Sequence, residues 1–379
     1  MKIRSKKSAI IIVLTIVVIA GLSLTVFRDS IEERIAAVQG EEPAASDMIE
    51  AYTAGKKDIR LTIGMLKSDE QNFMVFGTDS RVLEPKAYEY EIGSISKTLT
   101  ASILCKAISE GKINLDDPIS AYLPLDTDIF YPTVKRLVTH TSGYGEYPFS
   151  PSELSEKEMK TVSNDFYKKK LNIYRGIDRA DTLAMIEKHP LKNQAYGWEY
   201  SNFGIAALGT VLGDVYHTSF QSLAEDYIND LGLAETRIGN GEGNLANYWT
   251  WDDGDAFIAA GGFVSTVTDL LNYGRMHLKD SPDYLALSHQ ASQSFQNGEL
   301  SMGLGWIIDP ETGYLWHNGG TSSYTSFLGI DKKSGTVVVI LSNDSAGEDS
   351  EDGDALDILG YTLLDRLSRE GVDVYNALE

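Results

Sequence analysis

The stretch "EIGSISKTLTASIL", residues 91–104, sets Ser94 three positions ahead of Lys97 at the start of an apolar run. Leu99, Ile103, Leu104, Ala107 and Ile108 recur at helical spacing and Gly111 supplies a stop, so a helix is predicted to open near Ser94. Residues three apart share a helix face, and a lysine amine there reaches a serine hydroxyl. Serine is a poor nucleophile until a neighbour takes its proton, and lysine takes it only where burial or nearby positive charge lowers its pKa. The free N–H groups of a helix start also suit a developing oxyanion. Alone, the pattern decides little. Ser109 and Lys112 repeat it across the predicted helix end, and a helix-start serine beside an exposed lysine is the commoner meaning of such a motif.

Two other constellations carry chemistry. Tyr200-Ser201-Asn202 stands at the entrance to a helix whose stripe is Ile205, Leu208, Val211, Leu212 and Val215. A phenol near a lysine ammonium loses its proton more easily. The similar Tyr227-Ile228-Asn229 falls on the stripe of Phe220, Leu223, Tyr227 and Leu231, which makes Tyr227 core. His317-Asn318-Gly319-Gly320-Thr321 closes a predicted strand, where paired glycines admit a ligand to the backbone and expose an N–H donor. A strand histidine is more often structural than catalytic. Lys333-Ser334-Gly335 has the texture of a turn.

Working outward, "RLTIGML" and "NFMVFG" precede the Ser94 stretch as β-like segments, and residues 142 to about 300 are mainly helical and loop. From Gly303, "GLGWIID", "YLWHNGG", "SYTSFLGID" and "TVVVILSND" predict consecutive antiparallel strands, and Leu356, Leu359, Leu363, Leu364 and Leu367 a closing amphipathic helix. Strands at both ends with helices between imply one sheet assembled from both ends of the chain. The acidic run "GEDSEDGDALD" lacks the spacing of a calcium loop and is expected to be a solvated loop.

The 379 residues carry a formal net charge of −22, yet the first 28 hold Lys2, Arg4, Lys6, Lys7 and Arg28 and no acid. The acidic remainder repels phosphate backbones, which argues against a nucleic-acid partner. Residues 8–27, "SAIIIVLTIVVIAGLSLTVF", are uncharged and long enough to cross the roughly 30 Å hydrocarbon layer. The expected layout is a cytoplasmic tail over 1–7, a signal-anchor over 8–27, an acidic linker over 28–46 and a catalytic domain over 47–379. Val18-Ile19-Ala20 offers a weak cleavage site, and cleavage would give a secreted protein. Cys105 is the only cysteine and is expected to be buried.

Taken together and in order, the motifs resemble the serine β-lactamase and penicillin-binding protein superfamily, in the branch similar to class C β-lactamases, D,D-peptidases and esterases. "GKINLDDPISAYLP", "LVTHTSGYG", "WEYSNFGIAALG", "AAGGFVSTVTDL" and "VVVILSND" extend the likeness over roughly residues 55–370. The resemblance implies an α/β (α+β) fold, with an antiparallel sheet flanked by helices beside an all-helical lobe over about 142–300. It implies Ser94 as the acylated nucleophile, with Lys97 and Tyr200 sharing the acid and base work. Asn202 would orient lysine and substrate, His317 would stand where the family has a strand lysine or histidine, and Gly319, Gly320 and Thr321 would line the substrate. The backbone N–H groups of Ser94 and Gly320 would form the oxyanion hole. No metal or cofactor is implied, and the partner is a small peptide, ester or β-lactam.

Two departures bear on substrate. "QAYGWEYSN" lacks the family's Pro-Gly before the tyrosine, and His317-Asn318 stands where many β-lactamases have lysine and threonine. A neutral histidine is a poorer partner for a β-lactam carboxylate than lysine, which favours peptide or ester substrates. The resulting expectation is a membrane-anchored, extracytoplasmic serine hydrolase, against a penicillin-recognising sensor or a pseudoenzyme that only binds. His140 in "THTSGYG" is read as structural, since no G-x-S-x-G elbow exists for it to serve.

Overall fold

The strands from the two ends of the chain meet side by side in a computed structural model that describes residues 44–146, 161, 169–345, 351–370, 373 and 376–378. β1 (Leu61–Lys67) pairs antiparallel with β2 (Glu70–Phe76) on one side and with β12 (Thr336–Ser342) on the other. Beyond β12 follow β11 (Thr325–Asp331), β10 (Leu315–Gly320), β9 (Ile307–Ile308), β8 (Leu300–Met302) and β7 (Gln293–Phe295), while β3 (Val82–Leu83) edges β2. The order in this nine-stranded sheet is β3-β2-β1-β12-β11-β10-β9-β8-β7. The fold is therefore the antiparallel, helix-flanked sheet that the motif order implied.

Alternation along β12 explains why both faces are covered. Val337, Val339 and Leu341 enter one core, and Val338 and Ile340 enter the other. The second face is closed by α1 (Ala45–Thr53), through Ala45, Ile49 and Tyr52, together with the closing helix Glu351–Asp365, through Leu356, Leu359, Leu363 and Leu364. Helix α1 begins inside the stretch read as linker to residue 46, because Ala45 and Ile49 are fully or almost fully buried. Within the acidic run, residues 347–350 lie outside the described residues, and the backbone is already helical from Glu351.

The first face carries α2 (Ser96–Ser109), behind which stand α3 (Asn202–Tyr216) and α4 (Phe220–Leu231), with α5 (Val267–Lys279) against β1 and β12. Leu99, Leu104, Leu208, Val211, Leu270 and Val339 belong to one continuous core, so the described helices between 179 and 300 share their apolar interior with the sheet. Tyr227 is 2% exposed, in keeping with its place on the stripe of α4. A second sheet of β4 (Tyr90–Glu91), β6 (Phe263–Ser265) and β5 (Arg237–Ile238) was not foreseen. Its strands are two or three residues long, too short for alternation to register. It fixes the chain immediately ahead of Ser94 against "AAGGFVS".

The proposed anchor, residues 8–27, lies outside the described residues. Among the described residues no helix is long and apolar enough to cross a membrane.

Candidate active site

Ser94 occupies a single 3-10 turn, Gly93–Ile95, and α2 follows from Ser96. Gly93 has φ +47, and a Cβ there would fall 2.6 Å from the backbone nitrogen of Gly320. Only glycine satisfies both that conformation and that contact. Gly319 is equally constrained, since a Cβ on it would sit 2.1 Å from the carbonyl oxygen of Ile92 and 2.9 Å from the nitrogen of Ser94. Two glycines thus let the end of β10 press against the serine turn.

That closeness brings the expected oxyanion donors to one place. Thr321 N–H donates to the Tyr324 carbonyl at 2.9 Å, so 321/324 is a hydrogen-bonded pair of the β10–β11 hairpin. By the antiparallel alternation, 319/326 is another such pair, and the intervening Gly320 N–H points away from β11.

The side chains converge on the serine oxygen. Lys97 Nζ lies 2.8 Å from Ser94 Oγ and donates to the carbonyl of Ala260 at 2.7 Å, while Tyr200 Oη donates to Ser94 Oγ at 2.6 Å. Lys97 is 1% exposed, and burial lowers its amine to about 7, against a smaller opposing effect of the Glu146 carboxylate. Burial pushes the Tyr200 phenol up, above its ordinary range. The expectation that a lysine ammonium would ease the phenol's deprotonation is therefore reversed here. The amine is the group that is poised to accept a proton near neutrality, and the phenol keeps its own.

Tyr200 is held by the turn at His140. Ser201 caps α3 by accepting the Gly204 N–H at 2.8 Å and donates its hydroxyl to the Gly145 carbonyl at 2.8 Å. The Ser201 N–H donates to His140 Nδ1 at 3.1 Å, the Glu199 N–H donates to the His140 carbonyl at 2.8 Å, and the His140 and Tyr200 rings lie 4.7 Å apart. His140 thus positions the tyrosine loop. Asn202 donates its amide N–H to the Tyr174 hydroxyl at 3.2 Å.

His317 shares a strand face with Gly319, two residues on, and so projects toward the Ser94 side of β10. Burial and the Lys97 charge lower its imidazole to about 3. Thr321 turns inward, 4% exposed, and donates its hydroxyl to Glu91 at 2.6 Å. Glu91 also accepts the Trp249 backbone N–H, and burial raises its carboxyl to about 7.

Two acids near the site went unread in the sequence. Glu91 has a usable signal, a lone charge between the buried Tyr90 and Ile92. Glu146 has none, because it sits in the loop after "SGYG" and gains meaning only from its action on Lys97 and Tyr200. Ser109, which repeats the spacing at the helix end, is exposed and donates to the Lys106 carbonyl, while Lys112 pairs with Glu110. Cys105 is buried in α2, which pushes its thiol up to about 12.

A family model described as Beta-lactamase matches residues 89–362. The chain is 22% identical over 293 residues to protein flp of Staphylococcus aureus (strain MW2), covering 70% of this chain and 55% of that protein. It thus spans little more than half the length of the curated flp relatives that it matches. It is 26% identical over 262 residues to a beta-lactamase of Pseudomonas fluorescens, covering 64% of this chain and 67% of that one. In structure it is similar to a D-stereospecific amidohydrolase from Streptomyces sp., with a TM-score of 0.63, 20% identity, and 87% of this chain and 98% of that chain covered. A class C beta lactamase from Rhodobacter sphaeroides gives a TM-score of 0.60 at 18% identity, over 85% of this chain and 100% of that chain. At these identities the structural likeness speaks for the fold.

Proposed function

Because the chain belongs to the beta-lactamase family of serine hydrolases, we propose that it cleaves small D-amino-acid peptides or esters through an acyl-enzyme on Ser94, outside a membrane in which residues 8–27 anchor it. The observation that carries this reading is the convergence of Lys97 Nζ and Tyr200 Oη on Ser94 Oγ, at 2.8 and 2.6 Å, with the lysine buried.

In this reading, neutral Lys97 takes the Ser94 hydroxyl proton as Oγ bonds to the substrate carbonyl carbon. The oxyanion is met by the Ser94 and Gly320 N–H groups. Collapse breaks the bond to the leaving amine or alcohol, which receives a proton relayed from Lys97 through Tyr200. Water, deprotonated at the same pair, then attacks the acyl carbon; the Oγ–acyl bond breaks, Ser94 Oγ takes that proton back from the pair, and the acid product leaves. A β-lactamase or D,D-carboxypeptidase reading asks for a partner to the substrate's carboxylate, and the neutral His317 supports that less well than a lysine would.

The test is to treat the folded chain with a fluorophosphonate and a fluorescent penicillin and to locate the adduct by mass spectrometry. Label on Ser94, absent from Ser94→Ala, is expected from the fluorophosphonate. A folded chain labelled by neither reagent overturns the nucleophile assignment. For the anchor, the full-length chain is expected in the carbonate-resistant membrane fraction, and its recovery as a soluble protein refutes that part.

A further inference from the structure

Ser94 and Gly320 stand on separate elements, the turn ahead of α2 and the end of β10. Their N–H groups can meet one oxyanion only if something fixes the two elements against each other. Gly93 and Gly319 let the elements approach, but a glycine has no side chain with which to hold them there. Two side-chain hydrogen bonds do, one on either side of Gly320. On one side Ser326, which lies opposite Gly319 in the β10–β11 register, donates its hydroxyl to the Ile92 carbonyl at 2.9 Å. On the other, Thr321 donates its hydroxyl to Glu91 Oε2 at 2.6 Å. Ile92 and Glu91 are the second and third residues ahead of Ser94.

The direction of the Thr321 bond is set by its own turn. Its hydroxyl oxygen accepts the Tyr324 N–H at 3.2 Å and the Ser323 N–H at 3.4 Å, which occupies its lone pairs and leaves the hydrogen for Glu91. The other carboxyl oxygen, Glu91 Oε1, accepts the Trp249 backbone N–H, and the Trp249 indole N–H donates to Ser322 Oγ at 2.7 Å. One carboxylate thus receives two donors, and Trp249 braces both that carboxylate and the residue after Thr321. Glu91, Thr321, Ser322 and Trp249 are all buried, so water does not replace a bond that is lost. A hydrogen placed on either carboxyl oxygen, or an amide NH2 in its stead, sets a donor against a donor.

We infer that Glu91 is a positioning residue for the oxyanion hole: its carboxylate, holding Thr321 on one oxygen and Trp249 on the other, keeps the Gly320 N–H at its working distance from the Ser94 N–H. Glu91 acts through Thr321 and touches no substrate. This deepens the hydrolase reading above and rests on it.

The experiment compares a 4-nitrophenyl ester with the matching thionoester, C=S in place of C=O, on the full chain at pH 8.5, where Lys97 is mostly neutral and Glu91 mostly ionised. Sulfur is larger than oxygen and a weaker acceptor, so a hole of fixed dimensions favours the oxygen ester once each kcat/KM is divided by that ester's rate with hydroxide. Wild type is expected to show that preference. Glu91→Gln and Thr321→Val are each expected to lower kcat/KM for the oxygen ester by roughly tenfold, a part of the hundredfold or more that a removed donor costs, and to change the thionoester little, so that the ratio falls. Thr321→Ser keeps the hydroxyl and is expected to keep the ratio near that of wild type. A purely structural role would lower both esters together and leave the ratio unmoved. A wild-type ratio of one, ratios unchanged in Glu91→Gln and Thr321→Val, or a Thr321→Ser ratio as low as that of Thr321→Val overturns the inference, while fluorophosphonate label on Ser94 keeps the hydrolase reading intact. If thermal denaturation shows Glu91→Gln to be unfolded, the Thr321 pair decides alone. A folded wild-type chain with no turnover of either ester and no label overturns both readings together.

Discussion

Acylation of Ser94 is expected to rise with pH through neutrality, because the base is an amine whose pKa burial has lowered from 10.5 to about 7. That gap weighs roughly 5 kcal/mol against the charged amine. An amine of ordinary pKa would be neutral in only about one molecule in three thousand at pH 7, whereas this one is neutral in about half. The sign follows from the role. The deprotonated form accepts the serine proton, so the rate is about a hundredth of its plateau at pH 5, about a tenth at pH 6 and nearly full at pH 8.5. Glu146 is pushed up to about 8 by burial and is linked to Lys97, so the profile belongs to the pair and is expected to be broader than a single titration. The assay is the second-order rate of fluorophosphonate labelling from pH 5 to 10, with kcat/KM for a neutral nitrophenyl ester as a second measure. Tyr200→Phe is expected to lower the plateau by roughly a hundredfold and to leave the midpoint in place. A rate flat between pH 5 and 8, a midpoint near 10, or a midpoint that vanishes in Tyr200→Phe would refute lysine as the base.

Gly319→Ala is expected to lose labelling and about 3 kcal/mol of stability, because its methyl would overlap the Ile92 carbonyl and the Ser326 hydroxyl; thermal denaturation and labelling check this. Thr321→Val takes a donor from Glu91, whose carboxyl sits near 7 in the folded chain against an ordinary 4.5. Stability from that raised carboxyl is full below about 4.5 and is lost as pH climbs through about 7, where the charged form is populated. The deficit by urea denaturation is therefore expected to be about 1–3 kcal/mol at pH 8 and smaller at pH 5, and equal deficits would count against it. Cys105, buried and with its thiol pushed up to about 12, is expected to resist iodoacetamide until the chain unfolds, and rapid modification of the folded protein would contradict its burial.

The central fold was legible because its signals are local and repeated. "TVVVILS" is a continuous apolar run that only a strand buried on both faces explains, and the stripe of Leu356, Leu359, Leu363 and Leu364 declares a helix lying on one of those faces. What escaped notice is what lacks period. β4, β5 and β6 are set by pairings between residues 25 to 175 positions apart, as in Tyr90 with Ser265 and Ile238 with Phe263, and two residues carry no alternation. Helix α1 hid in an alanine-rich stretch whose burial comes from partners at the far end of the chain.

The site divides along the same line. Ser94–Lys97 and Ser109–Lys112 have identical spacing, but Lys97 lies in the first turn of α2, whereas Ser109 is the last residue of that helix and Lys112 lies beyond it. Helical geometry accounts for the reach of Lys97 but not for its protonation. Of the two routes that lower a lysine pKa, neighbouring positive charge and burial, the structure uses burial. The burial comes from the Ala260 carbonyl and the short helix Ile258–Gly261 that presents it, 163 residues downstream, and from the Tyr200 loop secured by His140. Lys112 has no such cover and pairs with Glu110 at the surface. A Ser-x-x-Lys pair becomes a nucleophile and its base only when distant chain closes over the lysine while leaving the serine open. Ala260 is therefore the position to perturb if the two properties are to be separated. A larger side chain there that displaces its carbonyl would admit water to Lys97 and raise its pKa while Ser94 kept its place in the turn.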